Sequence, residues 1–467
     1  MASKSKRARM APQRNFTRSF MYWAVAIFIM KLIIISNIEE NAWLGADGDN
    51  YISAYEALVK DGVFSSERLL HYWPAGYPLF LLLLSFLGKS WMFATLSIFQ
   101  SLIFSFSTYF FASQLAKTKF KKYSYLVFLL ILLNPTLSLA SICVGYESVA
   151  SSGLLIILGL IIQDLTNSTN NIFIRNTVLA SATVTFISFF QPRLLLSGLV
   201  GIAIWIFVRK PFKTAILVML ASIAIVAVSP SLLMLRNQKA NGFTAISTNL
   251  GITMNLGAGD KADGSYNRKS SFGVPCTTIE GNAAVQDNHL IKCVISWYLN
   301  HPVKSIKLFT NKARFFWSPW SGPEAKGSMA RNPWLTINPM INIASNSKEG
   351  NDLVYGLTGK VISWIWLIGS LALLLLGFWQ LWRVKGIERI IALFAATQIG
   401  LNWLIAIGTL GDHRQRLPIL GLSLFLQAIG IRTLFKGKRS ILTEGPNLPS
   451  KGSKDPILSA KIEHTNN

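Results

Sequence analysis

Two carboxylates stand one residue apart in a polar stretch of the chain, in the segment Gly-Ala-Asp47-Gly-Asp49-Asn-Tyr51. From Asp49 onward apolar residues recur at the spacing of one helix face, and a glycine follows where that helix can end: Ile52, Tyr55, Leu58, Val59 and Gly62. This pattern predicts a short amphipathic helix on a membrane surface, with Asp47 at its start. The helix dipole favours an ionised carboxylate there. Asp47 is therefore our first candidate for a general base, and Asp49 is the second.

Other roles for these two residues stay open on the sequence alone. Asp is a preferred N-cap residue, so Asp47 could simply cap the helix. The Asp-x-Asp pair also resembles the start of a calcium loop, although the remaining ligands of such a loop are missing. A divalent metal is possible because carboxylates serve a base or an ion equally well, and the five histidines form no convincing ligand cluster.

Four arginines lie close to the ends of apolar stretches: Arg193, Arg236, Arg414 and Arg416. Fixed cations at such places stabilise the charge on a phosphate. The alternative for each is snorkelling of the side chain to the membrane interface. Arg193 follows Pro192 in the first turn of a predicted helix, where a cation opposes the helix dipole. We therefore favour an anionic partner for Arg193.

The elements that position these residues are apolar stretches close to the length of a membrane-spanning helix, about 20 residues. Ten such stretches occur, at residues 19–38, 91–116, 123–141, 146–163, 174–190, 192–208, 213–233, 360–382, 388–408 and 416–434. A further apolar stretch, 76–88, is too short to cross, and we expect it to be re-entrant or interfacial. The fold class predicted is an all-α polytopic membrane protein of about ten helices.

Basic residues alternate between the connecting segments, and the positive-inside rule assigns the basic segments to the cytoplasm. This places both chain ends inside and two polar stretches outside: a first loop, 37–75, and a large loop, 235–358, each with short surface helices. The predicted organisation is a basic arm (1–18), an N-terminal membrane module (19–234), the large loop, C-terminal membrane helices (359–435) and a disordered tail (436–467). The net charge is +24. We expect the basic residues to set the orientation of the protein in the membrane and to contact anionic lipid, so we do not infer nucleic-acid binding.

Two cysteines, Cys276 and Cys293, both fall in the large loop. An oxidising compartment would permit a disulfide between them, and two free thiols are the alternative. In the same loop, residues 283–300 have the pattern of an amphipathic helix, and an aromatic run from Phe309 to Trp320 suits a membrane interface.

A set of motifs follows in a defined order along nearly the whole chain. It consists of Asp47-x-x-x-Tyr51; His71-Tyr-Trp-Pro74-Ala-Gly76-Tyr77-Pro78; Glu147; Gln191-Pro192-Arg193; Arg236-Asn237; Asn249-x-Gly251-x-x-x-Asn255; Tyr298-x-x-His301-Pro302; and Arg414-x-Arg416-Leu417-Pro418. Each motif alone is weak. Together they resemble the C-type superfamily of integral-membrane glycosyltransferases, in the branch with protein O-mannosyltransferases and lipid A aminoarabinose transferases.

The resemblance implies a sugar donor carried on a polyprenyl phosphate, an extracytoplasmic active site and inversion at the anomeric carbon. It implies that Asp47 is the base, that the four arginines bind the donor phosphate, and that six residues line the substrate cavity: Tyr51, His71, Tyr77, Glu147, Asn249 and Asn255. The acceptor could be a protein, a glycan or a lipid, and mannose or arabinose-like sugars are plausible donors. The location expected is a plasma membrane, of a bacterium.

Two other classes of protein remain open. An extracytoplasmic polysaccharide polymerase or ligase also has many helices, outer loops and arginines. A transporter generally places charged residues within its helices and often shows paired halves. Here the ionisable residues concentrate at helix ends and in loops, with Lys31 as an interior exception. The carboxylate-bearing helix followed by the Pro-Gly-Tyr-Pro turn favours the transferase.

Overall fold

The computed structural model describes residues 3–37, 47–167, 169–265, 273–317, 357–384 and 386–435, and the protein is helical across them. In chain order the helices α1 to α17 are Ser3–Ser36, Gly48–Asp61, Leu69–Tyr72, Gly76–Ser85, Met92–Leu115, Lys121–Leu132, Pro135–Ala140, Glu147–Asn167, Asn170–Phe190, Arg193–Arg209, Phe212–Asn241, Leu250–Leu256, Ala283–Asn300, Pro302–Trp317, Leu357–Val384, Ile387–Gly408 and Leu417–Phe435. Short 3-10 turns at Lys89–Trp91 and His413–Arg416 precede α5 and α17. The all-α polytopic fold class is confirmed.

Eight of the described helical segments are long and apolar enough to cross a membrane. They are Arg18–Ser36, Lys89–Leu115, Glu147–Asn167, Asn170–Phe190, Phe212–Asn241, Trp364–Val384, Ile387–Gly408 and Arg414–Phe435. Helix α10 coincides with a predicted crossing but has 17 residues. Helix α4 has ten residues, which agrees with the expectation that this stretch is too short to cross.

The prediction of one continuous helix over 123–141 is wrong. The chain breaks between α6 and α7 because Pro135 lacks an N–H and disfavours helical geometry at the residue before it. Asn134 accordingly has extended backbone angles and its side chain accepts a hydrogen bond from the Leu137 N–H at 3.0 Å. The break turns a predicted span into two short helices.

Helix α8 lies at the centre of the bundle, packed against α5, α9 and α17. Its first half is rich in small buried residues, which allow close contact: an added Cβ at Gly153 would lie 2.5 Å from Ile187 on α9. Since α8 begins at Glu147, this packing fixes one end of the helix deep in the protein. We call that end of the bundle the site end.

Helices α12, α13 and α14 form a second group at the site end, with a small core of their own that includes Met254, Val294 and Trp297. The predicted disulfide joins Cys276 to Cys293 on α13, and the predicted helix at 283–300 is α13. Part of the aromatic run lies outside the described residues. Its described part ends at Trp317, whose ring contacts Trp403 on α16.

Candidate active site

One guanidinium joins the starts of two distant helices at the site end. Arg414 Nη1 donates to Asp47 Oδ2 at 2.5 Å, and Arg414 Nε donates to Glu147 Oε1 at 2.6 Å. Asp47 precedes α2, Glu147 opens α8, and Arg414 lies in the turn before α17. The three side chains are 25%, 10% and 20% exposed, so the cluster is largely shielded yet reachable. Two carboxylates against one cation leave the trio with a net negative charge.

Local backbone geometry explains why these side chains meet. Asp47 occupies the N-cap position of α2 but makes no capping hydrogen bond, so the capping role for this residue is wrong. A capping hydrogen bond is made at the other partner of the cluster. Asp412 is the N-cap residue of the 3-10 turn that contains Arg414, and its Oδ1 accepts from the Arg414 N–H at 3.0 Å. That turn directs Arg414 towards the two carboxylates. Gly62 ends α2 as expected, with its N–H on the Leu58 carbonyl.

Three tyrosines surround the trio. Tyr51 packs against Tyr77, with ring centroids 4.9 Å apart, and Tyr77 OH accepts from the Gly145 N–H at 2.8 Å. Gln191 Nε2 donates to Tyr146 OH at 2.6 Å. Burial, reinforced by Tyr146 and Asp47, raises the pKa of Tyr51, and burial likewise raises the pKa of Tyr146. Both therefore present neutral hydroxyl groups to the cluster at physiological pH.

Two further predicted arginines flank the Arg414 turn. Arg193 Nη2 donates to the Gln415 carbonyl at 3.3 Å, and Arg416 Nη1 donates to the Trp317 carbonyl at 2.7 Å. Arg193 is close enough to Tyr146, Glu147 and Arg414 for electrostatic interaction. Among the described residues, the buried Nε atoms of Arg193 and Arg416 have no hydrogen-bond partner. Unused buried donors of this kind suit an anionic ligand, because leaving them unpaired is costly.

Arg236 is not with the other arginines. Its buried guanidinium donates to the carbonyls of Val63, Ser65 and Leu70 and to Asn237 Oδ1. These contacts tie the loop after α2 to α11. In this structure the guanidinium thus makes structural contacts, and a role in phosphate binding stays a prediction for Arg236.

Three of the predicted cavity residues also have structural partners. His71 Nδ1 lies 3.1 Å from Thr248 Oγ1, and the His71 carbonyl accepts from the Thr248 N–H. Burial and the nearby Arg236 lower the pKa of His71. Asn249 accepts from Ser247 Oγ at the start of α12, and Asn255 makes paired hydrogen bonds with the Val274 backbone. The hydrogen bonds described for these side chains join loop segments together, and none of them is to Asp47, Glu147 or Arg414.

The remaining predictions concern Asp49 and a metal. Asp49 lies in the first turn of α2, one residue after Gly48. In the described ranges, no group of three or more His, Cys, Asp or Glu side chains is placed to hold a metal ion. Asp47 and Glu147 instead share Arg414 as their common cation.

Sequence reasoning missed Lys312, a fully buried lysine on α14. A signal was present, because the buried positions of α14 recur at helical spacing and Lys312 falls on that face: Ser305, Leu308, Lys312, Phe315 and Phe316. A lysine within an apolar stripe has few ways to reach solvent. Such a residue is expected to have polar partners inside the protein.

No protein-family model matches the sequence, and no curated protein sequence matches it. Among solved structures, the chain is similar to the archaeal oligosaccharyltransferase AglB from Archaeoglobus fulgidus in complex with an inhibitory peptide and a dolichol-phosphate, with a TM-score of 0.45 and 12% identity over 89% of this chain. It is also similar to the A. fulgidus oligosaccharyltransferase tethered to an acceptor peptide containing the NVT sequon, with a TM-score of 0.44 and 10% identity over 89% of this chain. The chain spans 50% of the length of each of these proteins.

Proposed function

We propose that this protein is a membrane glycosyltransferase that moves a sugar from a polyprenyl-phosphate donor to a hydroxyl acceptor on the extracytoplasmic face. The observation that carries the proposal is the Asp47–Arg414–Glu147 cluster at the site end of a membrane bundle. It combines a partly exposed carboxylate, which can take a proton, with cations that can receive a leaving phosphate. Proton removal and charge stabilisation are the two tasks that such a transfer requires.

The arginines are the groups that fit the phosphate. Arg414 uses Nε and Nη1 on carboxylates, and Arg193 and Arg416 keep buried Nε–H groups without partners among the described residues. A departing polyprenyl phosphate gains negative charge, which pre-positioned guanidinium groups stabilise without reorganisation. The neutral hydroxyl groups of Tyr51 and Tyr146 can add hydrogen bonds to the phosphate or the sugar.

An apolar groove supports a lipid-linked donor. It runs between α10 and α16 and is lined by Leu196, Val200, Thr397, Gly400, Leu401 and Leu404. Leu196 and Val200 follow Arg193 by three and seven residues, which places them on the same face of α10. A chain lying in this groove would extend from the Arg193 turn into the membrane. Phosphate and lipid tail could therefore bind together.

In the proposed reaction, an Asp47 carboxylate oxygen accepts the proton of the acceptor hydroxyl. The acceptor oxygen forms a bond to the anomeric carbon from the face opposite the phosphate. The bond from that carbon to the phosphate oxygen breaks, and its electron pair leaves on the polyprenyl phosphate. Configuration at the anomeric carbon is inverted. Arg414, itself held by Glu147, keeps Asp47 in place.

The test compares two Asp→Asn variants on one helix. Asp47→Asn keeps the size and a hydrogen bond to Arg414 but removes the base, so we expect sugar transfer to fall by about 100-fold or more. Asp49→Asn should retain at least about half of the parent rate, because it leaves Asp47 and its contact with Arg414 in place. Helix α2 should form in both variants. The assay uses purified protein in nanodiscs, a polyprenyl-phosphate sugar and a panel of hydroxyl acceptors.

Binding of the polyprenyl phosphate is measured in parallel and should survive in Asp47→Asn, since the arginines are intact. Loss of transfer in Asp49→Asn with normal transfer in Asp47→Asn would move the base to Asp49. Normal transfer in both variants would refute the mechanism.

A further inference from the structure

Lys312 is fully buried at the junction of three segments of the site end. Its Nζ donates to Tyr298 OH and to the Thr409 carbonyl, both at 2.7 Å. Nζ also lies 5.2 Å from the centre of the Tyr298 ring. Neither oxygen partner carries a formal charge. Burial of a lysine here is therefore unfavourable unless its two hydrogen bonds stabilise the fold.

Three glycines from separate segments close around Lys312. An added Cβ at Gly257 would lie 3.1 Å from Lys312 Cε, one at Gly264 would lie 3.0 Å from Cγ, and one at Gly411 would lie 2.4 Å from Cα. The Gly411 N–H also donates to the Gly264 carbonyl at 2.9 Å. Lys312 thus fits between these segments because the three neighbouring residues are glycines and have no side chains.

Three described hydrogen bonds join α14 to the chain on either side of Arg414, and the one made by Lys312 is the first of them. Trp403 Nε1 on α16 donates to the Ala313 carbonyl at 3.3 Å, and Arg416 Nη1 donates to the Trp317 carbonyl at 2.7 Å. Between these two contacts the chain leaves α16 and reverses into α17. Within that reversal, Lys312 provides the described side-chain hydrogen bond from α14, which goes to the Thr409 carbonyl.

Thr409 is the C-cap residue of α16. Carbonyl groups at a helix C-terminus lack partners within the helix and carry partial negative charge, so a lysine donor there is favourable. Lys312 therefore ends α16 at Thr409. Arg414 follows five residues later, after the Asp412 cap has turned the chain towards Asp47 and Glu147.

We propose that Lys312 is a positioning residue: by binding the Thr409 carbonyl and Tyr298 OH, it fixes the reversal 409–412 and so the place of Arg414 beside Asp47 and Glu147. The link to turnover rests on the proposed function. The link to the reversal rests on contacts alone. Through α13 and its disulfide, the same lysine connects the Cys276–Cys293 segment to the candidate active site.

The experiment measures amide hydrogen exchange of the purified protein in nanodiscs, in peptides covering 409–416. Lys312→Met keeps an unbranched apolar side chain but removes the donors. We expect exchange in 409–416 to accelerate by about tenfold, as the loss of a buried hydrogen bond implies. The matched control is Lys304→Met, which removes an exposed lysine of the same helix paired with Asp260. It should leave 409–416 unchanged.

Sugar transfer supplies the second measurement. A displaced Arg414 no longer orients Asp47, so in Lys312→Met we expect kcat to fall by about tenfold. The donor KM should change less than about twofold, because Arg193 lies at the start of α10 and Arg416 keeps its own hydrogen bond to the Trp317 carbonyl. A general loss of folding would instead accelerate exchange throughout α13 and α14. If Lys312→Met does not fold, Lys312→Gln tests the same point, since its side chain is one bond shorter and draws the donor away from the Thr409 carbonyl.

Parent-like exchange in 409–416 of the Lys312 variants would overturn the proposal, as would equal acceleration across α13, α14 and 409–416. A locally accelerated reversal with an unchanged kcat would also overturn it, because Arg414 would then not depend on Lys312. If the parent protein itself transfers no sugar while local acceleration is seen, the structural link stands and the proposed function fails.

Discussion

Arg414 is the residue on which the candidate active site depends, because a single guanidinium binds carboxylates from two helices. Without it, Asp47 and Glu147 would face each other with like charges in a partly buried place. Paired carboxylates of this kind disfavour joint ionisation. Arg414 therefore offsets this like charge and fixes the separation of the two carboxylates, which a base and its orienting partner require.

Lys312 leads to a prediction about pH and stability. Burial lowers the pKa of Lys312 from 10.5 to about 7. Between these two values the unfolded chain holds the proton and the native protein does not, so stability rises with pH in that window. Below it both states are protonated, and the burial cost is fully present. Lys312→Met has no such group.

The difference in Tm between Lys312→Met and the parent should therefore be more positive at pH about 6.5 than at pH about 9.5. Thermal unfolding followed by tryptophan fluorescence at the two pH values measures it. Lys304→Met, on the surface of the same helix, should show no such trend. A constant difference for Lys312→Met across this range would contradict the lowered pKa.

At the residue scale, the sequence identifies side chains better than it identifies their partners. Asp47 and Arg414 were predicted as site residues and lie in contact. Arg236 was predicted from the same signal, an arginine at the end of an apolar stretch, yet its guanidinium binds loop carbonyls. Spacing along one helix cannot show which distant carbonyl or carboxylate a long side chain reaches. That choice is made by packing between helices.

At the scale of elements, the crossing of α15 and α17 is set by two reciprocal glycines. An added Cβ at Gly377 on α15 would lie 2.0 Å from the Leu426 carbonyl oxygen, and one at Gly430 on α17 would lie 2.3 Å from the Leu373 carbonyl oxygen. Small residues let membrane helices approach this closely. Since α17 follows the Arg414 turn directly, this crossing helps to fix the helix from which the turn extends.

We therefore expect Gly377→Ala to destabilise the protein by about 1–3 kcal/mol, because the methyl group forces the two helices apart. Gly369→Ala on the same helix is the matched control, since nothing lies within 4 Å of its added Cβ. It should be neutral or slightly stabilising, as alanine has the higher helix propensity. Thermal unfolding in detergent compares the two. Equal Tm values would refute the close crossing.

The elements themselves were predictable where one physical signal dominated. Long apolar stretches became long helices, and the ten-residue α4 followed from the shortness of its stretch. The Asn134-Pro135 break does not show in the hydropathy, since the sequence is apolar on both sides of it, although proline disfavours a continuing helix. The short helix α3 and the 3-10 turns have no periodic pattern of their own. They depend on contacts with neighbouring elements, which a single sequence does not reveal.

At the scale of the whole molecule, the predicted cytoplasmic segments after α5, α10 and α15 lie, with the end of α17, at the end of the bundle opposite the site end. Lys119 N donates to Glu388 Oε1 at the start of α16, and Arg432 Nη1 donates to the Lys122 carbonyl. Arg209, at the end of α10, pairs with Asp164 near the end of α8. The candidate active site lies at the start of α8. Basic segments and site are thus separated by the length of the bundle.

That separation turns the positive-inside rule into a test of where the chemistry takes place. Exposed positions suitable for single cysteines are Val63 and Asn288 at the site end and Lys213 at the opposite end. Background labelling should be low, because Cys143 is buried and the other two cysteines are joined. In intact cells, a membrane-impermeant maleimide should label Val63→Cys and Asn288→Cys. Lys213→Cys should react only after permeabilisation.

The reverse pattern would place Asp47, Glu147 and Arg414 in the cytoplasm. A soluble nucleotide-sugar donor would then be accessible to the site, and a donor carried across the membrane on a lipid would not be required. Labelling of all three positions in intact cells would show only that the cells are permeable to the reagent, so a cytoplasmic marker protein is labelled in parallel. With the marker unlabelled, reaction at Val63→Cys and Asn288→Cys alone confirms that the carboxylate and arginine cluster faces outward.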